Sequence, residues 1–381
     1  MTSRGFDLAV VGAGIVGLAH AWAAARLGKR VVVIERDARA NGASIRNFGF
    51  ITVTGQQRGQ VWNRARRSRD LWVAAAGPAG IPIEQRGLIL TARSPEAQAV
   101  IEAFLATPMG EACEWLGAAK LKQRFPTPIP PATHGALFSP HEIRVESRTA
   151  LPALKTWLEN RFGVVFMTSA AAVEVSPPTI RTSRGVVKAA AAVVCPGDDL
   201  VSLFPDEIAA QGVTRCRLSM LRLADPGFRL SSAMMSDLGL VRYLGYAELP
   251  AAAALRRMLE ATHADCLRHG VHLIVTQSAD GSLVVGDSHH YGDTPDPFAP
   301  QIAEDLILQE FQAATGLAPP PVIERWTGTY SSAAGPMFAV TPASDIRLVM
   351  VTSGAGASTA FAIAEDVIGD LYQTPLGDIG L

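Results

Sequence analysis

The sequence predicts an α/β (α+β) fold: a parallel sheet flanked by helices, interrupted by a second, largely antiparallel β-sheet unit. Three observations predict it. An apolar strand at the N-terminus runs straight into a glycine-rich turn and a helix. A second strand–glycine–helix corner stands near the C-terminus. Between them, runs of strand character at 214–223 and 270–286 bracket a helical stretch at 251–269. The 381 residues, 48% of them hydrophobic, are enough for two or three domain-sized units with a substantial core.

Residues 6–11 form a short apolar run after a polar start, the pattern of a buried strand. Gly12-Ala13-Gly14-Ile15-Val16-Gly17 then fits G-x-G-x-x-G. A helix over 15–27 follows, capped by Gly28, and a strand over 30–34 leads to Glu35. Each part has a physical task. Gly12 permits the tight turn, Gly14 lets a pyrophosphate approach the backbone, and Gly17 lets helix and strand pack closely. The first helical turn offers unpaired N–H groups to phosphate, and an acid about twenty positions beyond the glycines can accept from a ribose. Strand, glycines, helix, strand and acid in this order define a Rossmann-type dinucleotide site. A small polar loop, Asn41 to Gly49, comes next and can lie along the rest of a long cofactor.

Bulk properties narrow the partners. Lys and Arg number 34 against 35 Asp and Glu, a net charge of −1, so neither nucleic acid nor an acidic tail is indicated. The apolar stretch 8–25 imitates a signal peptide, but the Gly12–Gly14 turn interrupts it. No other run is long enough to span a bilayer without charge. Cys113, Cys195, Cys216 and Cys266 form no CxxC pair and have no zinc spacing, which fits reduced packing thiols in a cytoplasmic protein. His289 and His290 lack a third spaced ligand, so no metal is expected. A homo-oligomer is compatible with all of this.

The fingerprint ending in Glu35-Arg36, with the Ser44-x-Arg46-Asn47-x-Gly49 loop, resembles the D-amino-acid oxidase superfamily, and glycine oxidase and sarcosine oxidase within it. The resemblance implies non-covalent FAD. It implies that Ser44 contacts the pyrophosphate and that Arg46, Asn47 and Phe48 line the flavin, with Ile15 and Val16 at the helix start. It extends along the chain. Val145-Glu146-Ser147-Arg148 precedes a helix over 149–161 capped by Ser147 or Thr149. Strands at 164–166 and 171–175 follow, with the Val173 amide at the adenine. A strand at 191–195 ends in Pro196-Gly197-Asp198, with Gly197 beside the pyrophosphate. Trp326 marks the strand 325–330. The strand 348–352 runs into Ser353 to Thr359 and a helix over 360–371. There Gly354, Gly356, Ala357, Ser358 and Thr359 would present amides to the flavin's pyrimidine edge. Covalent members of the family place a cysteine near the strand that holds Trp326, and no cysteine follows Cys266.

The remaining expectations are helices over 56–76 and 95–119, a strand pair over 80–91 and a proline-rich loop at 126–131. His134 to Phe138 follow that loop, and Gly286 to His290 are read as closing a strand. Residues 1–79, 143–212 and 322–381 are assigned to the FAD-binding unit, and 80–142 and 213–321 to the substrate unit.

What the resemblance implies chemically is oxidation of a small primary or secondary amine by hydride transfer to flavin N5. The imine then hydrolyses and dioxygen is reduced to hydrogen peroxide. Such chemistry asks for positioning and for positive potential near the flavin rather than for an obligate acid or base. The sequence departs from the family at the arginine that grips an amino-acid carboxylate. Tyr330 stands there, and Ser331-Ser332-Ala333-Ala334 follows. Gly354-Ala355 replaces the usual Gly-His, and the lysine that often faces N5 is missing, with Ser358 nearby. An anionic substrate group would meet Arg46, Arg217, Arg242 or His289, assisted by Tyr243, Tyr246 or Tyr330. Arg144 to Arg148, Cys216-Arg217-Leu218-Ser219-Met220-Leu221 and the lost arginine resemble the glycine-oxidase-like subgroup of bacterial aminophosphonate breakdown. That implies 2-aminoethylphosphonate or its N-methyl form as substrate. Alternatives are a glycine, sarcosine or D-amino-acid oxidase, and an amine dehydrogenase with another electron acceptor. A tRNA-modifying or thiamine-pathway flavoprotein and a non-catalytic flavin binder also stay open.

Overall fold

Short Val- and Ile-rich runs, buried on both faces, build the first sheet as parallel sheets require. In the computed structural model, which describes residues 5–125 and 133–376, Phe6–Val11 lies between Gly185–Val194 and Val31–Ile34. Val165–Met167 and Ile346–Val351 flank that trio in parallel register. Met337–Ala343 adds an antiparallel edge. Ala172–Ser176 and Thr179–Thr182 form a hairpin that continues from the first half of Gly185–Val194. The helices Ile15–Arg26, Ser147–Phe162 and Gly356–Tyr372 share one hydrophobic core against this sheet. There Phe361 meets Trp22 and Trp72 edge to face at 5.2 and 5.0 Å.

Among the described residues the second sheet has nine strands and runs Val322–Ser332, Thr214–Leu223, Leu283–Gly292, Ile274–Gln277, Ala233–Met235, Gln85–Ala92, Gly135–Arg144, Phe50–Ile51, with Glu114–Gly117 also on Gly135–Arg144. Every pair is antiparallel except Ala233–Met235 with Gln85–Ala92. Among the described residues no helix is long and apolar enough to cross a membrane, and all four cysteines are free thiols.

Several boundaries differ from expectation. Val322–Ser332 pairs with Thr214–Leu223 along nearly its whole length, so it belongs to the second sheet rather than to the nucleotide unit. Residues 80–91 are not a strand pair; Gln85–Ala92 is a single strand whose partners come from far along the chain. The helix expected over 95–119 stops at Leu105. There the Thr107 hydroxyl accepts the Met109 N–H and Pro108 opens a one-turn 3-10 helix, before Glu114–Gly117 joins the sheet. The 251–269 helix breaks at His263. Gly286 to His290 lie inside the strand Leu283–Gly292, not at its end. Neither Ser147 nor Thr149 caps the helix Ser147–Phe162; both hydroxyls donate elsewhere, to Asn47 Oδ1 and the Glu146 carbonyl. The helix Gln301–Thr315 has no counterpart in the sequence reading. The proline-rich loop at 126–131 lies outside the described residues.

Candidate active site

Both glycine corners open into one cavity of about 510 Å³, lined from both sheets, within the size range of cofactor sites. At the N-terminal corner a Cβ on Gly17 would sit 1.8 Å from the Gly12 carbonyl oxygen, so only glycine lets helix and strand meet. The Ser44 hydroxyl accepts the Ile15 N–H at 2.9 Å, which pins the polar loop to the helix start. Its own proton is still available to an oxyanion. Glu35 is buried; its carboxylate accepts from the Ala13 N–H at 2.7 Å and the Asp37 N–H at 3.0 Å. Each oxygen keeps a second lone pair. Arg36 and Gly197 also line this end, Arg36 pairing with Asp199 at 3.0 Å.

The polar loop is seated by its neighbours. Asn47 accepts from the Gly49 N–H and the Ser147 hydroxyl and donates to the Ala43 carbonyl. The Trp326 indole donates to the Arg46 carbonyl at 3.2 Å. A Cβ on Gly328 would stand 3.1 Å from that same carbonyl oxygen, so the strand's glycine is what lets the loop approach. Arg46, Asn47 and Phe48 all reach the cavity.

The second sheet supplies the opposite wall. Three adjacent strands set His289, Leu218 and Gly328 in one cross-strand row, and Tyr291, Cys216 and Tyr330 in the next. His272 and Asp287 exchange backbone hydrogen bonds, which places their side chains together. Asp287 and His289, two apart on one strand, share a face. Arg242 enters from the end of the 3-10 helix Asp237–Val241 and neighbours Tyr291, Tyr330 and Asp287. Among the described residues Arg242 has no ion-pair partner. The Asp237 that starts its helix is bound by Arg93, which also pairs with Glu310.

Burial sets the charge states here. It pushes Asp287 up to about 8, against the pull of the Arg242 charge. It pushes His272 down to about 3, and the Arg242 charge adds to the effect. His289 is lowered as well, by burial and then by Arg242 and His272. Burial raises the Tyr243 and Tyr330 phenols, so both remain donors. His272, Asp287 and His289 offer ligand atoms within 4.8 Å of one another. Arg242 is the positive charge beside the carboxyl of this polar chain.

Most expected site residues converge on the cavity: Gly12, Gly14, Ile15, Val16, Gly17, Glu35, Arg36, Ser44, Arg46, Asn47, Phe48, Gly197, Tyr243, His289, Tyr330, Gly354, Gly356 and Ala357. Others do not. Val173 is not among the residues that line the cavity and is 58% exposed, beside a register shift between Ala172 and Glu174; Ala170, Ala171 and Ala172 line the cavity there. Tyr246 is fully buried against Phe104 at 4.7 Å, a core residue. Trp326 acts only through Arg46. Ser358 and Thr359 turn into the protein, the Ser358 hydroxyl accepting the Thr52 N–H and the Thr359 hydroxyl donating to the Ala355 carbonyl. Arg217 is consumed by the carbonyls of Asp296 and Phe298. His272 and Asp287 were missed as site residues. The i, i+2 spacing of Asp287 and His289 was available as a signal, whereas His272 joins them only through sheet pairing.

A cavity with nucleotide-binding corners at one end and a buried polar wall at the other defines a dinucleotide-dependent enzyme. The chain belongs to the DAO family of FAD dependent oxidoreductases, whose model matches residues 7–369. FAD is therefore its cofactor. The Gly17 close approach, the Ser44 hydroxyl and the Glu35 carboxylate fit the diphosphate and ribose of that group. Among solved structures, the chain is similar to glycine oxidase from Geobacillus kaustophilus, with 16% identity, TM-score 0.76 and coverage of 97% of this chain and 95% of that one. It is similar to L-proline dehydrogenase from P. horikoshii, with 16% identity, TM-score 0.77 and coverage of 97% and 94%. It is also similar to dithionite-reduced L-alpha-glycerophosphate oxidase from Mycoplasma pneumoniae with FAD bound, with 15% identity, TM-score 0.74 and coverage of 97% and 95%. No curated protein matches the chain.

Proposed function

We propose that this flavoenzyme oxidises a small primary or secondary amine that carries an anionic group, with Arg242 as the anion's anchor. The observation behind this reading is a guanidinium without an ion-pair partner among the described residues, facing the cavity that both glycine corners share. Tyr330 and Tyr243 stand beside it as phenolic donors. Of the other cations considered, Arg217 is bound to carbonyls, and Arg46 donates to the Thr327 carbonyl at 3.4 Å. Bound FAD supplies the hydride acceptor. The chain's part is to hold the amine-bearing carbon toward it, to exclude water with Leu218 and Ile274, and to keep positive potential at Gly356 and Ala357. Glycine oxidase and L-proline dehydrogenase, by their names, act on amines that also carry a carboxylate, which favours an amine substrate. Because Tyr330 stands where the family's carboxylate arginine would, the anion is assigned to Arg242 beside it. A phosphonate, with three oxygens to satisfy, suits that position, and 2-aminoethylphosphonate or its N-methyl form is the proposed substrate. Dioxygen is proposed as electron acceptor from the resemblance to the family's oxidases. A peroxide-release assay tests the reading: aminophosphonates should exceed glycine and sarcosine in kcat/KM. A preference for glycine or sarcosine would contradict the substrate, and turnover with an artificial acceptor but no peroxide would contradict the oxidase.

A further inference from the structure

The polar chain behind Arg242 is more than the anion site needs. Asp287 is 4% exposed, and His272 and His289 are nearly as buried. Asp287 Oδ1 stands 3.4 Å from His272 Nδ1, and neither atom has a hydrogen-bond partner among the described residues. Asp287 Oδ2 stands 3.7 Å from His289 Nε2. His289 Nδ1–H donates to the Gly270 carbonyl at 2.8 Å, so the neutral ring turns its Nε2 lone pair toward Asp287. His272 Nε2 lies 3.4 Å from the Tyr243 hydroxyl. A buried carboxyl with idle acceptors, at the cavity wall and flanked by neutral imidazoles, is costly to keep for packing alone.

An amine reaches the protein mainly as an ammonium ion and must lose a proton before its carbon can release a hydride. We propose that Asp287, supported by His272 and His289, is the base that takes this proton. This rests on the amine-oxidation reading above. In the step, an N–H bond of the ammonium breaks, its electron pair stays on nitrogen, and the proton binds an Asp287 carboxylate oxygen. Nothing is oxidised or reduced until the neutral amine gives up hydride to FAD. The charged and titratable groups that face Asp287 are Arg242 and Tyr243 from the end of the 3-10 helix, Cys216 from the neighbouring strand, and His272 and His289. Arg242 is the one that holds the carboxyl's proton affinity down. An anion docked on Arg242 offsets that charge, so binding the substrate's anionic end strengthens the base toward its ammonium end. Burial already places Asp287 near 8, within reach of an ammonium proton.

Two measurements test this. In anaerobic stopped flow, the flavin-reduction rate of the wild-type holoenzyme should rise with pH through one ionisation. Asp287→Asn should lose that ionisation and fall about 100-fold, and Asp287→Glu should recover part of it. An Asp287→Asn enzyme that holds FAD and keeps the wild-type rate and pH profile would overturn the proposal. The second readout needs no turnover and no variant. Amines whose amino-bearing carbon has no hydrogen, 2-aminoisobutyrate and 2-amino-2-methylpropylphosphonate, are bound to the oxidised wild-type holoenzyme about one pH unit above the Asp287 value. The infrared difference spectrum should gain a protonated-carboxyl band that shifts with 13C-aspartate labelling. No such gain would overturn the proposal, as would a stoichiometric divalent ion whose removal abolishes flavin reduction. If no anion-bearing amine reduces the wild-type flavin, the amine-oxidation reading itself fails. If amines reduce it and Asp287 makes no difference, only the proton assignment fails.

Discussion

At the residue scale the proposed anion anchor is Arg242, because among the described residues neither a carbonyl nor a carboxylate binds this cavity-lining guanidinium. Arg242→Met removes a charged hydrogen-bonding partner worth about 1.5–3 kcal/mol to an anion. Steady-state kinetics should show kcat/KM for the anionic amine down about 10- to 100-fold, mainly through KM, with FAD content unchanged. An unchanged KM would move the anchor elsewhere. The glycine corner and Glu35 were legible from spacing, since the strand–turn–helix–strand order fixes where the acid falls, whereas Ser44 was implied only by the family resemblance; all three reach the cavity. The substrate wall was only partly legible. The sequence shows that Tyr330 displaces the expected arginine, but not that Arg242 stands beside it, because the two are joined by the fold alone. Val173 shows a related limit: Ala170, Ala171 and Ala172, rather than Val173, line the cavity.

Elements place these side chains. The 3-10 helix Asp237–Val241 is a weak scaffold by itself, and it is held by the Arg93 pairing with Asp237 and Glu310. These carboxylates are 2% and 3% exposed in their side chains, so removing the arginine leaves two buried charges unpaired. Arg93→Met should cost about 3–5 kcal/mol in denaturant unfolding, and should raise KM for the amine through the loosened Arg242. A loss below 1 kcal/mol would show that the network does not hold the helix. Strand and helix types followed from sequence where hydrophobic period and glycine stops agreed, as at Phe6–Val11, Ile15–Arg26 and Thr214–Leu223. They failed where local chemistry broke a run, as at Thr107-Pro108, or where a strand's partners were distant, as at Gln85–Ala92.

For the whole molecule, the two sheets meet around the cofactor cavity, so cofactor and fold are thermodynamically linked. Adding FAD to about 100 times its Kd should stabilise the FAD-free protein by about 2.7 kcal/mol, read as a thermal shift. Acid should act the opposite way. His20 and His272 are buried and neutral, with burial pushing them down to about 4 and about 3. The unfolded chain binds protons at both sites below the ordinary histidine value near 6.5, while the native protein does not. Their contribution to stability is thus full above that pH and is lost as pH falls through 4 and then 3. Thermal unfolding followed from pH 7 to pH 4 should show a falling midpoint, and His272→Gln should flatten the slope. A midpoint independent of pH over that range would contradict the buried neutral assignment. The nine-stranded sheet was recognisable as a class, but its boundary was not. Val322–Ser332 follows the substrate strands in pairing and the nucleotide unit in sequence position.

The most direct measurement is the absorbance of the FAD-loaded protein as 2-aminoethylphosphonate and its N-methyl form are added without oxygen. The flavin's visible band should bleach with either compound and return on admitting air. A band that survives every anion-bearing amine would contradict the proposed function.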